Sequence, residues 1–175
     1  EKIICLKNKN YFVIGTYCNQ IERKGLDQIL RLLSFDKNLA AVIIGNGPEN
    51  KKLKDMARDL KIEDRCLFFD FLPHAYIYNK YFDAYIIPSR TEGFGIALIE
   101  AVLSNTKVIC SDIPVFREMF NDLEVSFFKL DDNEEIIIAI NQMKSGVDKR
   151  IPAIRRAKEV FSVDAMTKKY TALYQ

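Results

Sequence analysis

The sequence predicts an α/β fold: a Rossmann-like, doubly wound and mainly parallel sheet of about six strands, followed by a helical C-terminal tail. Short apolar runs alternate with segments whose apolar residues recur at helical spacing. The strand-like runs are apolar at nearly every position, which is typical of strands buried on both faces of a sheet. The 175 residues, 49% of them hydrophobic, suit a single compact domain over 1–175.

The predicted elements follow one another regularly along the chain. Six strand-like runs rich in Val, Ile, Phe and Tyr, the last of them weaker, cover residues 11–14, 39–44, 66–69, 84–87, 107–110 and 124–127. Two amphipathic helices between them are indicated by Leu26, Ile29, Leu30 and Leu33, and by Leu53, Met56, Ala57 and Leu60. After the sixth run only helices are predicted, with stripes at Ile136, Ile140 and Met143, at Ile154, Ala157 and Phe161, and at Met166, Tyr170 and Leu173.

Charge, cysteine content and hydropathy disfavour several classes of protein. A net charge of +2 lacks the positive excess of a typical nucleic-acid binder. The cysteines show no Cys-x-x-Cys spacing and accompany a single histidine, so neither a metal site nor a cofactor is predicted. Thiols in apolar runs favour a reducing, cytoplasmic setting. No apolar run approaches the roughly 18 residues that a membrane span needs.

The two ends of the chain carry further signals. From Lys144 onward, eight basic residues stand against three acidic ones. Two interpretations stay open: a solvated helix face, or peripheral contact with anionic lipids at the inner face of a membrane. The sequence begins at Glu1 without a methionine or a secretory leader, so we expect a piece excised from a longer protein.

The most informative segment is PSRTEGFGIALIEA, residues 88–101, which passes from a strand through a glycine turn into a helix. Gly93 and Gly95 let the backbone approach a ligand closely, and the free N–H groups that open the helix suit a phosphate. Glu100 stands among apolar residues, where a carboxylate is costly unless hydrogen-bond donors meet it. A ribose diol would supply two donors; the alternative is that Glu100 faces solvent.

A second candidate phosphate site follows the first predicted strand. Gly15 ends that strand, and Arg23 and Lys24 precede the next helix. A lysine near a helix N-terminus is unfavourable by about a few tenths of a kcal/mol unless it holds an anion. An ordinary surface lysine is the alternative. The segment GNGP from Gly45 is expected to be mainly structural, because proline is favoured in the first turn of a helix.

Three segments together resemble a known family: KGLD from Lys24, GNGP from Gly45, and EGFG from Glu92 with Glu100-Ala101 eight positions later. They are similar to the C-terminal, donor-binding half of the retaining GT-B glycosyltransferases of family 4, also called group 1. The resemblance covers about residues 11–174, including a closing helix that ends at Tyr174. It implies transfer of a sugar from a nucleotide diphosphate sugar to a glycan or lipid-linked acceptor, with the acceptor domain missing here and this fragment inactive alone.

The resemblance also implies roles for single residues. Glu92 would contact the donor sugar, Glu100 would hold the ribose diol, and Lys24 would stabilise the leaving diphosphate, which makes Glu92 and Lys24 the catalytic pair. The diphosphate would also be held by the backbone amides of the glycine turn, which are those of Gly93, Phe94 and Gly95. Gly15 and Arg23 would hold it as well. No metal is needed in this scheme. The base would lie against the backbone of residues 71–73.

Some positions depart from the family pattern. Thr16 stands where the family often has a phosphate-binding arginine, for which Arg23 is the substitute. Asp70 replaces a common glycine near the base, so the identity of the base is left open. Asn105 replaces a glycine that ends a helix and tolerates the left-handed conformation. His74 is expected to be a loop residue, because the family's active-site histidine belongs to the other domain.

Two alternatives to a transferase remain. One is a GT-B nucleotide-sugar 2-epimerase, against which the spacing of Glu92 and Glu100 argues. The other is a non-catalytic α/β interaction module of the response-regulator type, which would need an acidic cluster where Gly15 to Tyr17 stand.

Overall fold

A computed structural model describes residues 2–173, in which one six-stranded sheet lies between two layers of helices. The strands are β1 (Phe12–Tyr17), β2 (Leu39–Ile44), β3 (Cys66–Phe69), β4 (Ala84–Ile87), β5 (Val108–Ser111) and β6 (Ser126–Phe128). Their order across the sheet is β3-β2-β1-β4-β5-β6, and every neighbouring pair is parallel. The predicted doubly wound α/β fold is therefore confirmed.

Eight α-helices are described: α1 (Lys2–Asn8), α2 (Leu26–Phe35), α3 (Asn50–Asp59), α4 (Ile96–Leu103), α5 (Pro114–Met119), α6 (Asn133–Lys144), α7 (Arg150–Phe161) and α8 (Val163–Leu173). Two 3-10 segments, Glu22–Lys24 and Ala75–Tyr81, complete the list. The helical tail after β6 is confirmed, although Tyr174 lies outside the described residues. Helices α1 and α5 were not predicted, because seven and six residues are too few to show a helical period.

The first strand differs from its prediction. Strand β1 begins at Phe12 and continues to Tyr17, three residues beyond the predicted end, because it pairs with β2 over its whole length. Gly15 therefore lies inside the strand and not at its end. A side chain at Gly15 would overlap the ring of Phe82, so close packing accounts for this glycine. Shifts of one or two residues also occur at β5 and β6.

Each face of the sheet has its own hydrophobic core. Val13, Val42 and Tyr85 point to one face, where α1, α4, α5 and α7 cover them. Ile14 and Ile43 point to the other face, where α2, α3 and α6 cover them. This alternation explains why the strands are apolar at nearly every position.

The strand order reverses between β1 and β4, and this point positions the candidate site. Strands β2 and β3 lie on one side of β1, while β4, β5 and β6 lie on the other. The helices that follow β1 and β4 consequently lie on opposite faces of the sheet, and a crevice opens outside the carboxyl ends of these two strands, which is where open α/β sheets bind ligands. Within residues 2–173, no helix is both long and apolar enough to cross a membrane.

Candidate functional site

The centre of the crevice is an ion pair between the loops after β1 and β4. The Nζ atom of Lys24 lies 2.6 Å from Oε1 of Glu92, and the Ser89 hydroxyl donates to the same oxygen at 2.7 Å. Arg23 approaches the other carboxylate oxygen at 3.8 Å. Two hydrogen-bond donors and the nearby charge of Arg23 therefore hold the Glu92 carboxylate, and only 9% of its side chain is exposed.

Local backbone geometry puts Lys24 in this position. The 3-10 turn Glu22–Lys24 ends at Gly25, which adopts the left-handed conformation with φ of 64°. A side chain at Gly25 would overlap the carbonyl oxygen of Pro88, so the two loops can approach only with glycine here. The lysine therefore stands just before α2, at a helix N-terminus, as predicted.

A second ion pair fastens the two loops together. The guanidinium of Arg90 donates to both carboxylate oxygens of Asp27, at 2.9 and 2.8 Å. It also donates to the carbonyl of Glu22, and the Arg90 amide donates to the carbonyl of Arg23. Burial of Asp27 raises its pKa, but the hydrogen bonds from Arg90 and the charges of Arg90 and Arg31 together outweigh burial and lower the pKa overall. Arg90 thus fixes the turn that carries Lys24 against the loop that carries Glu92.

The glycine turn before α4 is open on one side and packed on the other. An added side-chain carbon at Gly93 would contact nothing within 4 Å. At Gly95, where φ is 84°, it would lie 2.8 Å from the ring of Phe116. Between them Phe94 is 55% exposed, and its ring packs edge-on against Phe161 of α7. The turn therefore presents free backbone at Gly93 while Gly95 anchors it to the core.

Glu100 belongs to a polar cluster beside this turn. It is half-buried on α4, and the Tyr17 hydroxyl reaches the same helix, 3.5 Å from the carbonyl oxygen of Ala97. Burial raises the pKa of Tyr17, and the negative charge of Glu100 raises it further. Asn79 is 1% exposed, yet neither polar atom of its side chain finds a partner among residues 2–173.

A cavity of about 340 Å³ opens next to this cluster, within the range of about 300–1,000 Å³ typical of small-molecule pockets. It lies at the carboxyl ends of β1 and β2 and beside the loop after β3. Its walls are largely apolar and are formed by Tyr17, Cys18, Asn19, Ile44, Gly45, Asn46, Phe71, Leu72 and Ala75. Burial raises the pKa of the Cys18 thiol to about 12, so this wall carries no charge at neutral pH.

The predicted residues fall into two groups. Lys24, Arg23 and Glu92 meet in one cluster, the glycine turn leads from it into α4, and Glu100 lies on that helix with Tyr17. Gly15 stands apart, two residues before the end of β1, and its contact with a ligand stays a prediction. His74 precedes the 3-10 segment as a loop residue, and Asn105 adopts the left-handed conformation after α4, as predicted.

Four further residues were missed by sequence reasoning: Ser89, Arg90, Tyr17 and Asn79. Ser89 and Arg90 belong to the segment 88–101. Arg90 was missed because its partner Asp27 lies far away in the sequence, and Ser89 was missed because its spacing to Glu92 matches no known motif. Tyr17 lies beyond the predicted end of the first strand, and Asn79 lies in a segment to which no element was assigned. Among residues 2–173, no group of three or more His, Cys, Asp or Glu side chains could hold a metal ion.

Known proteins resemble this chain in sequence and in fold. Residues 3–160 match the sequence profile of the family described as "Glycosyl transferases group 1". The chain is 31% identical over 135 residues to the O-antigen biosynthesis glycosyltransferase WclY of Escherichia coli, covering 70% of this chain and 38% of that protein. It is 39% identical over 84 residues to the O-antigen chain mannosyltransferase RfbU of Salmonella typhimurium, covering 46% of this chain and 24% of that protein.

Solved structures share the fold. Anabaena Alr3699/HepE, solved with UDP and glucose, superposes with a TM-score of 0.85 at 20% identity, over 99% of this chain and 51% of that one. TarM superposes with a TM-score of 0.82 at 17% identity, over 95% of this chain and 35% of the TarM chain. The chain thus spans about two fifths of the length of the curated relative WclY and about half of HepE.

Proposed function

Because this chain belongs to the group 1 glycosyltransferases, we propose that it is the donor-binding domain of an enzyme that transfers a sugar from a nucleotide diphosphate sugar with retention of configuration. The single observation that carries the proposal is the pairing of Lys24 with Glu92 at the crevice between β1 and β4. A cation and a carboxylate fixed side by side suit a ligand that is anionic at one end and carries hydroxyl donors at the other.

The diphosphate is assigned to the cationic side of the crevice. Lys24 and Arg23 supply positive charge, and the open backbone at Gly93 leads into the N-terminus of α4. Both features stabilise negative charge, which increases on the diphosphate as its bond to the sugar breaks. Phe94, Gly95 and, more distantly, Gly15 complete the proposed contacts. This arrangement supplies charge stabilisation without a metal ion.

Glu92 is assigned to the donor sugar. Its carboxylate accepts hydrogen bonds from Lys24 and Ser89, and sugar hydroxyls are donors of the same kind. In the transfer step, the bond between the anomeric carbon and the diphosphate oxygen breaks, and a bond to the acceptor oxygen forms on the same face. The proton of the acceptor hydroxyl passes to the released diphosphate. Glu92 orients the sugar during this exchange, and Lys24 stabilises the leaving group.

The nucleoside is assigned to the remaining groups. Glu100 accepts hydrogen bonds from the ribose hydroxyls. The Tyr17 hydroxyl beside it donates to the carbonyl of Ala97 on the same helix. The base enters the cavity lined by Phe71 and Leu72, next to the backbone of residues 71–73. Half-burial of Glu100 supports this assignment over the solvent-facing alternative, because a partly desolvated carboxylate gains most from two donors.

The acceptor is assigned to the part of the enzyme that this chain does not contain. The relatives are about twice as long as this chain, since it covers 38% of WclY with 70% of its own length and 51% of HepE with 99%. A second domain would close the crevice, exclude water and position a glycan or lipid-linked acceptor. The chain alone should consequently bind nucleotide and not transfer sugar. The family match supports a transferase over the epimerase and interaction-module alternatives.

Contact with a membrane surface is a further part of the proposal, for a cytoplasmic enzyme acting on lipid-linked acceptors. The basic residues Arg155 and Lys158 on α7 and Lys168 on α8 are exposed, and α8 also exposes the apolar residues Met166 and Tyr170. Cations beside apolar side chains suit an anionic bilayer surface. Sedimentation of the full enzyme with anionic vesicles at low salt tests it; equal sedimentation with neutral vesicles contradicts it.

Proton NMR of the reaction product tests the proposed reaction. The full two-domain enzyme should give a product whose anomeric configuration equals that of the donor, and this chain alone should give none. An inverted product contradicts retention. Conversion of the donor sugar without any acceptor indicates the epimerase, and transfer by this chain alone contradicts its assignment as a half-enzyme.

A further inference from the structure

A carboxylate stands at the rim of the proposed base cavity. Asp70 follows directly after β3, next to the cavity residue Phe71, and its side chain is exposed. Its Oδ1 atom accepts a hydrogen bond from Nδ2 of Asn46, which also lines the cavity, at 3.2 Å. The walls of the cavity are largely apolar, and Asp70 stands just outside them, at the end of β3.

The orientation of this carboxylate is fixed from one side only. The Asn46 side-chain oxygen accepts from the amide of Gly47 at 2.8 Å, so its amino group is turned toward Asp70. The second oxygen, Oδ2 of Asp70, accepts no hydrogen bond from the described residues, and no Lys or Arg among residues 2–173 pairs with it. Asp70 is therefore an acceptor with unused capacity beside a ligand-sized cavity.

The bases differ in what they offer to such an acceptor. Guanine presents two adjacent donors, N1–H and the exocyclic amino group, which match the two oxygens of a carboxylate. Uracil presents one N–H between two carbonyl oxygens, and those oxygens repel a carboxylate. Adenine presents an amino group beside a ring nitrogen that is itself an acceptor. Only guanine therefore satisfies a carboxylate in bidentate fashion.

We propose that Asp70 reads the base and makes this chain selective for guanine nucleoside diphosphates, with Asn46 holding the carboxylate in place. The inference rests on the proposed function, because it assumes that the cavity takes the base. Phe71, whose side chain is 75% exposed, adds an aromatic face on which a base can stack. Stacking is insensitive to the identity of the base, so the carboxylate of Asp70 accounts for the proposed selectivity.

The test exchanges a single atom on each side of the contact. Asp70→Asn replaces one carboxylate oxygen by an amino group, and xanthosine diphosphate replaces the exocyclic amino group of guanine by a carbonyl oxygen. The wild-type chain should bind GDP more tightly than UDP, ADP or xanthosine diphosphate. The variant should bind GDP about 10 to 100 times more weakly and should prefer xanthosine diphosphate, as expected for exchanging one charge-assisted hydrogen bond.

Two controls accompany this titration. Asp64→Asn makes the same chemical change at an exposed aspartate near the opposite end of β3, and it should bind like the wild type. Inosine diphosphate lacks only the exocyclic amino group, so it should bind the wild-type chain more weakly than GDP. This second control needs no variant and therefore does not depend on the folding of Asp70→Asn.

The outcomes separate the inference from the proposed function. If UDP or ADP binds most tightly, or if Asp70→Asn leaves the preference for GDP unchanged, the inference is overturned while the proposed function stands. If no nucleoside diphosphate binds the wild-type chain, the proposed function itself fails. A preference for GDP that Asp70→Asn converts into a preference for xanthosine diphosphate supports the inference.

Discussion

Lys24 and Glu92 are 68 positions apart in the chain, yet their side chains form a 2.6 Å ion pair at the centre of the candidate site. Parallel pairing of β1 with β4 brings the two loops together, and the Asp27–Arg90 pair fastens them. The pair is partly shielded from water, with 18% and 9% of the side chains exposed. A ligand phosphate that binds Lys24 must therefore compete with, or share, the Glu92 carboxylate.

This competition predicts the effect of Glu92→Gln on nucleotide binding. The substitution removes a negative charge next to the proposed diphosphate site and leaves Lys24 without its closest anionic partner. The variant should bind the preferred nucleoside diphosphate as tightly as the wild type or up to about tenfold more tightly, while losing transfer activity in the full enzyme. Calorimetric titration measures the first effect.

The control for Glu92→Gln is Glu63→Gln, an exposed carboxylate at a distance from the loops after β1 and β4. It should leave the affinity unchanged. Weaker nucleotide binding by Glu92→Gln would show that Glu92 organises Lys24 for the diphosphate and does not compete with it.

The Asp27–Arg90 pair predicts a pH-dependent loss of stability. Because the pKa of folded Asp27 is lowered, its contribution is fully present above the unfolded value of about 3.9 and is lost as pH falls through the folded value. Asp27→Asn should lower the free energy of unfolding by about 1 kcal/mol at pH 6, and the difference from wild type should shrink below pH 4. Urea denaturation at a series of pH values measures this.

A matched substitution for this experiment is Asp55→Asn, which removes a carboxylate from exposed ion pairs on α3. Its effect at pH 6 should be clearly smaller than that of Asp27→Asn, because water screens these exposed charges. An Asp27→Asn effect that is equally large at pH 3 and pH 6 would contradict the role given to the ion pair.

The two glycines of the turn should respond differently to alanine. Gly95→Ala places a side chain at φ of 84° and 2.8 Å from Phe116, so it should destabilise the fold by about 1–3 kcal/mol. Gly93→Ala meets open space and should change stability by less than about 0.5 kcal/mol, while weakening nucleotide diphosphate binding. Thermal unfolding and calorimetric titration of both variants test this pair. If Gly93→Ala left the nucleotide affinity unchanged, that result would contradict the assignment of the diphosphate to this stretch of backbone.

The Tyr17 hydroxyl should affect nucleotide affinity through the contact between Glu100 and the ribose hydroxyls. Tyr17→Phe removes the group that lies between Ala97, Asn79 and Glu100, and it keeps the ring that packs against Tyr85. The affinity for a ribonucleoside diphosphate should fall by about 3- to 10-fold, and the affinity for its 2′,3′-dideoxy form should stay the same. A merely structural role would weaken both ligands equally, so the ratio of the two affinities decides the matter.

Much of the fold could be predicted because its signals are local. The runs at 39–44, 66–69 and 84–87 are apolar on both faces, and they coincide with β2, β3 and β4 to the residue. The end of β1 could not be predicted, because Thr16 is polar and yet is buried in a strand, where pairing with Ile43 of β2 holds it. The short helix α5 depends on burying its own Phe116 and Met119 in the core, which no local period displays.

The candidate site divides in the same way. Lys24 and Glu100 could be proposed because a lysine at a helix start and a carboxylate in an apolar helix are unusual in themselves. Glu92 could be proposed only because the segment EGFG resembles the glycosyltransferase family. Arg90 and Asn79 could not, because an arginine in a loop and an asparagine among tyrosines are ordinary locally. Their importance comes from partners or burial that only the folded chain creates.

Calorimetric titration of this chain with UDP, GDP and ADP in the absence of divalent metal tests the central claim most directly, with Lys24→Ala and Glu100→Gln measured beside it. Saturable binding of one nucleotide, weakened about tenfold or more by each substitution, is the predicted result. Lys37→Ala, which removes an exposed lysine from the turn after α2, should have no effect. No binding of any of the three nucleotides, or binding that neither substitution weakens, would contradict the assignment of the crevice between β1 and β4 as the donor site.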